Sequence, residues 1–168
     1  ARTLLTAGAA QSNHCRQTAA SAARFGFGCT LVLSGNQPDE VNGNLLLDQM
    51  LGARIIWTTR SEREHALKKA FDQAWFAGER PYLIPYGGSS NTGAAGYAHA
   101  VLEMISQCGP GKEFPMPETV VFASSSGGTQ AGMVVGARIG KYPGKIIAVS
   151  IDEQAQVLQQ RVAALATQ

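Results

Sequence analysis

The stretch Thr119-Val-Val-Phe-Ala-Ser-Ser-Ser-Gly-Gly-Thr-Gln-Ala-Gly-Met133 decides the fold of this chain. Its first five residues, 119–123, are apolar and mostly β-branched, which is typical of a buried strand. Residues 124–128 are serine and glycine only, and from Thr129 onward the apolar residues return at helical spacing. A strand, a short flexible loop and a helix in this order indicate one βα unit of a parallel sheet.

The loop of this unit is a candidate anion site. A helix that begins directly after a glycine-rich loop directs free backbone N–H groups and the positive end of its dipole at one point. Gly127 and Gly128 allow a ligand to approach the backbone closely, and Ser125, Ser126 and Thr129 add hydroxyl donors. The loop lacks both the P-loop ending and the GxGxxG spacing, so its phosphate would belong to a molecule other than ATP or NAD. An ordinary βα turn without a ligand remains the simpler alternative.

Strands and helices alternate along the rest of the chain. Such alternation predicts an α/β fold, with parallel sheets, right-handed crossovers and helices on both faces. The predicted strands are 3–6, 29–33, 54–58, 82–84, 119–123 and 145–150. The predicted helices are 12–25, 42–51, 62–77, 94–107, one from 129 onward, and 153–166, with loops at 7–11 and 85–93. In the helix at 62–77, one apolar face is expected to lie in the core: Leu67, Ala70, Phe71, Ala74 and Trp75.

Composition excludes several classes of protein. The chain has 168 residues, 45% of them hydrophobic and 15% charged, and a net charge of +2 without a Lys/Arg cluster argues against nucleic acid as a partner. No signal peptide and no apolar run of membrane-spanning length are evident, so no membrane partner is expected. The cysteines, Cys15, Cys29 and Cys108, show no CxxC spacing, which indicates a reducing, cytoplasmic location and argues against a disulfide framework or metal site.

A second polar cluster, Gln11-Ser12-Asn13-His14, lies at a predicted helix start. Its N–H groups and side chains could hold a carboxylate, and an asparagine there could also hydrogen-bond a ring hydroxyl. Alternatively, Ser12 only caps the helix and His14 lies on the surface. A single histidine near a helix start is not a catalytic base until a partner is shown.

Four segments occur in one order: Gln-Ser-Asn-His-Cys-Arg-Gln-Thr-Ala-Ala (11–20), Asn-Gly-Asn-Leu-Leu-Leu-Asp (42–48), Pro-Tyr-Leu-Ile-Pro-Tyr-Gly-Gly-Ser-Ser (81–90) and Ser-Ser-Ser-Gly-Gly-Thr-Gln-Ala-Gly-Met (124–133). Together they resemble the family of D-cysteine desulfhydrase and 1-aminocyclopropane-1-carboxylate deaminase. These are pyridoxal-phosphate enzymes of fold type II, the tryptophan synthase β type. His14 and the Asn-Gly-Asn-Leu-Leu-Leu run resemble the desulfhydrase more than the deaminase.

The resemblance implies roles for both polar clusters. The cofactor phosphate would be held by Ser125, Ser126, Gly127, Gly128 and Thr129, within the segment 124–129. The substrate carboxylate would be held by Ser12, Asn13 and His14, and Asn13 would also bind the cofactor near its pyridine ring oxygen. Residues 1–86 resemble the family's small domain with four parallel strands, and residues 87–168 resemble the start of its large, cofactor-phosphate-binding domain.

The resemblance also implies that the chain is a truncated, internal fragment. In the family the Schiff-base lysine precedes the Gln-Ser-Asn motif in a Gly-Gly-Asn-Lys context, so no catalytic residue is expected among the 168. The lysines present lie in no such motif: Lys68, Lys69, Lys112, Lys141 and Lys145. Lys68 and Lys69 fall on a predicted helix and are expected to face solvent.

The function expected of the parent is that of a pyridoxal 5'-phosphate-dependent lyase or deaminase acting on a small amino acid. A D-cysteine desulfhydrase would give pyruvate, ammonia and sulfide, while the chain alone would be inactive. Three alternatives stay open: a parent of the deaminase type, a non-catalytic α/β module that binds a phosphorylated small molecule, and an assembly fragment whose exposed sheet edge pairs with another chain. In the larger enzyme, flanking segments would cover the apolar surface of this chain. Without them that surface would be exposed in a monomer, so a homo-oligomer is expected.

Overall fold

The structure is a computed structural model that describes residues 1–167. The chain divides into two compact units, Ala1–Gly87 and Gly88–Gln168, and each unit is described by itself.

The first unit is a four-stranded parallel sheet in the order β3-β2-β1-β4. Its strands are β1 (Thr3–Ala9), β2 (Gly28–Ser34), β3 (Arg54–Thr58) and β4 (Pro81–Leu83). Its helices are α1 (Asn13–Phe25), α2 (Gly43–Met50) and α3 (Arg63–Phe76). A short 3₁₀ turn follows at Tyr86–Gly88.

Helices cover both faces of this sheet, and the alternation of side chains along β2 shows how. Leu33 lies in a buried cluster with Cys15 of α1 and Leu45 of α2. Val32 points to the opposite face, where it is buried with Ala70 of α3. Successive strand residues face opposite sides of a sheet, so one strand contributes to two apolar cores.

The second unit contains a two-stranded parallel sheet, in which β5 (Thr119–Ser124) pairs with β6 (Lys145–Ser150). Its helices are α4 (Asn91–Gln107), α5 (Gly128–Ile139) and α6 (Ala155–Ala166). The core of this unit is formed by Ala94, Ala131, Leu158 and Val162, one or two from each helix.

Helices α4 and α5 pack with their backbones nearly in contact. A Cβ atom on Gly136 would lie 2.5 Å from the carbonyl oxygen of Ala98, and one on Gly132 would collide with the carbonyl oxygen of Ala94. No larger residue fits at either position without separating the helices. This contact fixes the axis of α5, whose first residue follows the serine-glycine loop.

The predicted alternation of strands and helices is confirmed, and β3 and β6 have the predicted bounds. The loop predicted at 7–11 is wrong at Ala7–Ala9, which continue β1 and pair with Val32–Ser34. Gly8 favoured a loop in the sequence, but here it is required by packing. A Cβ on Gly8 would lie 2.5 Å from the Cys15 Sγ, so the start of α1 closes directly over the strand.

The expected core position of Trp75 is also wrong, since the residue is 60% exposed. Ala70 and Ala74 mark the line of α3 that faces the sheet, and each helical step turns the next residue by about 100°. Trp75 is therefore turned outward, where it stacks on Phe71 with ring centroids 6.2 Å apart. It lines an open cavity of about 550 Å³ beside Arg80 and Tyr82.

Three further observations concern residues 1–167. None of their helices is long and apolar enough to cross a membrane. No group of three or more His, Cys, Asp or Glu side chains in this range could hold a metal ion. The cysteines are all free thiols, and Cys15 and Cys29 are buried.

Candidate functional site

The Gln-Ser-Asn-His cluster lies where β1 leads into α1, at the carboxyl end of a central strand of the sheet. Ser12 is the N-cap of α1, and its Oγ accepts a hydrogen bond from the N–H of Cys15 at 3.2 Å. The Ser12 hydroxyl proton is not used in that bond, so it is available to a ligand. Ser12 thus caps the helix, as its sequence position predicted, and keeps one donor for a second partner.

Asn13 presents its amide nitrogen as a donor because its oxygen is already engaged. Asn44 Nδ2 donates both to the carbonyl oxygen of Gln11 and to Asn13 Oδ1, each at 2.9 Å. A carbonyl oxygen can only accept, so the bond to Gln11 fixes which end of the Asn44 amide points this way. Asn13 Nδ2 therefore carries the free donors of that side chain, which suits an oxygen acceptor on a ring.

Gln11 joins the start of α1 to the start of α2. Its Oε1 accepts from the N–H of Asn44 at 2.8 Å, and its Nε2 donates to the carbonyl oxygen of Asn42 at 3.2 Å. A Cβ on Gly43 would lie 2.5 Å from Gln11 Oε1, and Gly43 has a φ of +55° that favours glycine. Asn44 was not recognised as a site residue from the sequence, although the Asn-Gly-Asn run was quoted for the family resemblance.

His14 is half-buried and contacts the sheet. Its Nε2 lies 2.8 Å from Thr6 Oγ1 on β1. The same hydroxyl lies 3.0 Å from the carbonyl oxygen of Ile84 and donates to it. Burial lowers the pKa of His14 from its ordinary value, so the ring is neutral near pH 7. His14 is therefore partly exposed, with its Nε2 edge against the sheet.

The loop 124–128 lies at the carboxyl end of β5 and runs into α5. Gly127 is the N-cap with a φ of +90°, and no side chain caps the helix. Within residues 1–167, the N–H groups of Gly127, Thr129 and Gln130 find no protein acceptor. Ser124 is 3% exposed and its Oγ also lacks a partner in that range. Unpaired donors around one loop are the arrangement that an anion completes.

Two predicted donors of this loop are already engaged. The Ser125 hydroxyl donates to Asp152 Oδ2 at 3.0 Å, and its only proton is used there. The Gly128 N–H donates to Ser89 Oγ at 3.1 Å. Arg161 Nη1 donates to the carbonyl oxygen of Ser125 at 3.1 Å, so a side chain of α6 holds the backbone of the loop. These contacts hold the backbone of the loop. Within residues 1–167, the hydroxyls of Ser126 and Thr129 have no hydrogen-bond partner and can donate to a ligand.

Ser89 is a second residue that the sequence did not single out, although the segment 81–90 that contains it was quoted for the family resemblance. A Cβ on Gly128 would lie 2.8 Å from Ser89 Oγ and 3.0 Å from Ser89 Cα. A Cβ on Gly127 would lie 3.2 Å from Val162 Cγ2 on α6. Both positions therefore require glycine, because Ser89 and Val162 lie too close for a side chain. The run of small residues predicts such close packing but does not identify the neighbouring residues.

The helix dipole favours anions at both helix starts. Neither α1 nor α5 has an acidic residue in its first turn, so the helix dipole is not offset there. The unpaired N–H groups, the buried Ser124 hydroxyl and the absence of room for a side chain at 127 and 128 fit a phosphate at α5. The donors of Ser12 and Asn13 at α1 fit a carboxylate or a ring oxygen.

Comparison with known proteins gives the same family as the four motifs. The model of the family described as "Pyridoxal-phosphate dependent enzyme" matches residues 1–167. The D-cysteine desulfhydrases of Salmonella typhi and Salmonella paratyphi B are each 42% identical over 142 residues, which is 81% of this chain and 42% of theirs. The chain thus spans less than half the length of these curated relatives.

Solved structures show the same fold. A crystal structure described as an ACC deaminase homologue has a TM-score of 0.84 and 29% identity, and the match covers 99% of this chain and 50% of the other. A pyridoxal 5'-phosphate-dependent aspartate racemase has a TM-score of 0.68 at 20% identity, covering 95% and 44%, and supports the fold alone. The predicted fold class, an α/β fold of the tryptophan synthase β type, is confirmed.

Proposed function

Because the chain belongs to the family of pyridoxal-phosphate dependent enzymes, we propose that it supplies a phosphate cradle and a carboxylate clamp to a lyase. The proposed enzyme is of the D-cysteine desulfhydrase type and converts a small amino acid to pyruvate, ammonia and sulfide. The 42% identity to D-cysteine desulfhydrases supports this reaction class. The loop 124–129, with its unpaired donors, is the structural observation that carries the proposal.

The phosphate cradle uses backbone groups more than side chains. Gly127 and Thr129 give their N–H groups, and Ser126 and Thr129 give hydroxyls. Ser125 contributes through its braced backbone, because its hydroxyl proton is held by Asp152. Gly128 contributes by lacking a side chain, because its N–H is held by Ser89. Each added N–H or O–H bond to the anion is charge-assisted and therefore stronger than a neutral one.

The clamp orients the substrate. Pyridoxal phosphate, when bound, accepts the electron pair released at the α-carbon of the amino acid. The residues of this chain bind and orient: the start of α1 offers the N–H groups of Asn13 and His14 and the hydroxyl of Ser12 to a carboxylate. Asn13 Oδ1 is bound by Asn44, so Asn13 Nδ2 would be the donor to the pyridine ring oxygen.

The 168 residues by themselves are proposed to bind without catalysing. The family resemblance places the Schiff-base lysine upstream of the Gln-Ser-Asn motif, and the lysines here lie elsewhere. Lys68 illustrates this, since it is exposed on α3 and pairs with Asp72 at 2.7 Å.

A parent of the deaminase type is the second candidate, favoured by the structural match to an ACC deaminase homologue. Both parents use the same cradle, so they differ in the amino acid that is processed. A cytoplasmic location and a homo-oligomer are proposed as well. The free cysteines support the first of these, and exposed apolar residues on one face of the β5–β6 sheet support the second.

The cradle is tested by a matched pair of glycine-to-alanine variants in the second unit. Gly128→Ala places a Cβ 3.0 Å from the Cα of Ser89, which must shift, whereas a Cβ at Gly96 on α4 meets nothing within 4 Å. Pyridoxal phosphate is titrated against each variant by absorbance and fluorescence, with inorganic phosphate as competitor. Gly128→Ala should lose one or two hydrogen bonds to the phosphate, and its affinity for pyridoxal phosphate should fall about tenfold or more.

Gly96→Ala should bind the cofactor like the parent sequence, and inorganic phosphate should compete with it. Equal affinity in both variants, or no competition by phosphate, would refute the cradle. If the protein bound inorganic phosphate but left the spectrum of added pyridoxal phosphate unchanged, the alternative of a non-catalytic α/β module that binds a phosphorylated small molecule would be favoured.

A further inference from the structure

The hydroxyl of Thr6 lies between two groups of the first unit. Thr6 stands in the middle of β1 and has no solvent exposure. Its Oγ1 is 3.0 Å from the carbonyl oxygen of Ile84 and 2.8 Å from Nε2 of His14. Both distances are within hydrogen-bond range, so each contact requires one proton between its two atoms.

The position of each proton follows from the chemistry of the three groups. A threonine hydroxyl has one proton, and a carbonyl oxygen can only accept. If the Thr6 proton pointed to His14, two oxygens would face each other at 3.0 Å without a proton in a place closed to solvent. The Thr6 proton therefore goes to Ile84, and the proton in the second contact comes from His14 Nε2.

The other ring nitrogen is then determined. Burial lowers the pKa of His14, so the neutral ring carries one proton, on Nε2. Nδ1 has an unshared electron pair, and no group within residues 1–167 hydrogen-bonds to it. The ring is a hydrogen-bond acceptor at the second residue of α1.

We propose that Thr6 is a positioning residue that holds His14 in the Nε2–H tautomer, so that His14 presents Nδ1 as an acceptor to the ligand. In assigning that ligand the inference rests on the proposed function. A carboxylate oxygen is itself an acceptor and does not bind an unprotonated nitrogen. The ring therefore receives a donor of the amino acid, namely an ammonium, hydroxyl or thiol group. The carboxylate is left to the backbone N–H groups of Asn13 and His14 and to the Ser12 hydroxyl.

This assignment divides the Ser-Asn-His cluster by function. The expectation that all three residues hold the carboxylate applies to the backbone of His14 but not to its ring. The strand residue that decides this, Thr6, is buried and lies outside the motif. It is found only by following the hydrogen bond from His14 into the sheet.

The tautomer is measured by nuclear magnetic resonance on the 168-residue protein labelled with ¹⁵N-histidine, without cofactor. Two-bond nitrogen–proton correlations distinguish the Nε2–H form from the Nδ1–H form, and His65 and His99 serve as internal references. His14 signals are assigned by their loss in His14→Gln. We expect one neutral form with Nε2 protonated and its proton protected from exchange. A His14 ring protonated on Nδ1, or an even mixture, would overturn the inference.

Two variants separate the hydroxyl from the shape of the side chain. Thr6→Val keeps the β-branched shape and removes the hydroxyl, and it should speed exchange of the Nε2 proton about tenfold, the value of one hydrogen bond. Thr6→Ser keeps the hydroxyl and should keep the protection. Unchanged protection in Thr6→Val would refute a positioning role. Because no cofactor is present, this result is independent of the pyridoxal phosphate titration that tests the proposed function.

Discussion

Asp48 of α2 provides a direct test of the electrostatics of the first unit. Its side chain is fully buried, and neither carboxylate oxygen has a hydrogen-bond partner within residues 1–167. Burial raises the pKa of Asp48 to about 6, although the positive charge of Arg16 opposes this shift. The change to test is Asp48→Asn, which keeps the shape and removes the charge.

The sign of the effect follows from the direction of the shift. A carboxyl whose pKa is higher in the folded state binds its proton more tightly when folded. Its contribution to stability is therefore fully present below the unfolded pKa and is lost as the pH rises through about 6. A shift from the ordinary value of 3.8 to about 6 corresponds to at most about 3 kcal/mol, and relaxation around the charge reduces this to about 2 kcal/mol.

Asp48→Asn should therefore raise the free energy of unfolding by about 2 kcal/mol at pH 7.5 and by about a third of that at pH 4.5, since pH 4.5 lies only a little above the unfolded pKa. Urea unfolding followed by tryptophan fluorescence reports on this unit, because both tryptophans, Trp57 and Trp75, belong to it. Asp39→Asn, at an exposed loop position, is the matched control and should show no such difference. A stability gain from Asp48→Asn that is the same at both pH values would refute the reasoning.

Three other predictions concern the site and the assembly. Asn44→Ala should lower the free energy of unfolding by about 0.5–1 kcal/mol in urea titrations, because it removes two hydrogen bonds at exposed positions, where water replaces the lost donor. An unchanged midpoint would contradict this. Borohydride reduction of the 168-residue protein with pyridoxal phosphate, followed by peptide mapping, should give no stoichiometric adduct on any lysine, and one such adduct would show the expectation wrong. Light scattering at micromolar concentration should show self-association. Val121 is 61% and Val149 53% exposed on one face of a parallel sheet, and parallel sheets are normally covered on both faces. A monodisperse monomer that binds no hydrophobic dye would exclude self-association.

Local chemistry explains what the sequence predicted well. Ser12 was recognised as an N-cap because the preference of serine for that position depends only on the next three residues. The strands at 54–58 and 145–150 were found from their short β-branched runs, which need no distant partner to be recognised.

Distant contacts explain what the sequence missed. Ala7–Ala9 continue a strand because β2 pairs with them, although Gly8 alone suggests a loop. Trp75 fits the apolar periodicity of α3, but the line of α3 that faces the sheet runs through Ala70 and Ala74, so Trp75 is turned toward solvent. Ser89 binds the N–H of Gly128, 39 residues away, and Thr6 binds the ring of His14, 8 residues away. No local sequence pattern predicts either contact.

The network that joins Gln11, Asn13, Asn42 and Asn44 is built from amides and backbone groups alone. Amide groups do not titrate in water and carry no net charge for salt to screen. The geometry at the start of α1 should therefore be the same in acidic and neutral buffer and at low and high ionic strength. Any dependence of amino-acid binding on pH or salt then reports on charged groups, namely the ligand, the cofactor, His14, the buried Asp48 or the helix dipole, and not on this amide network.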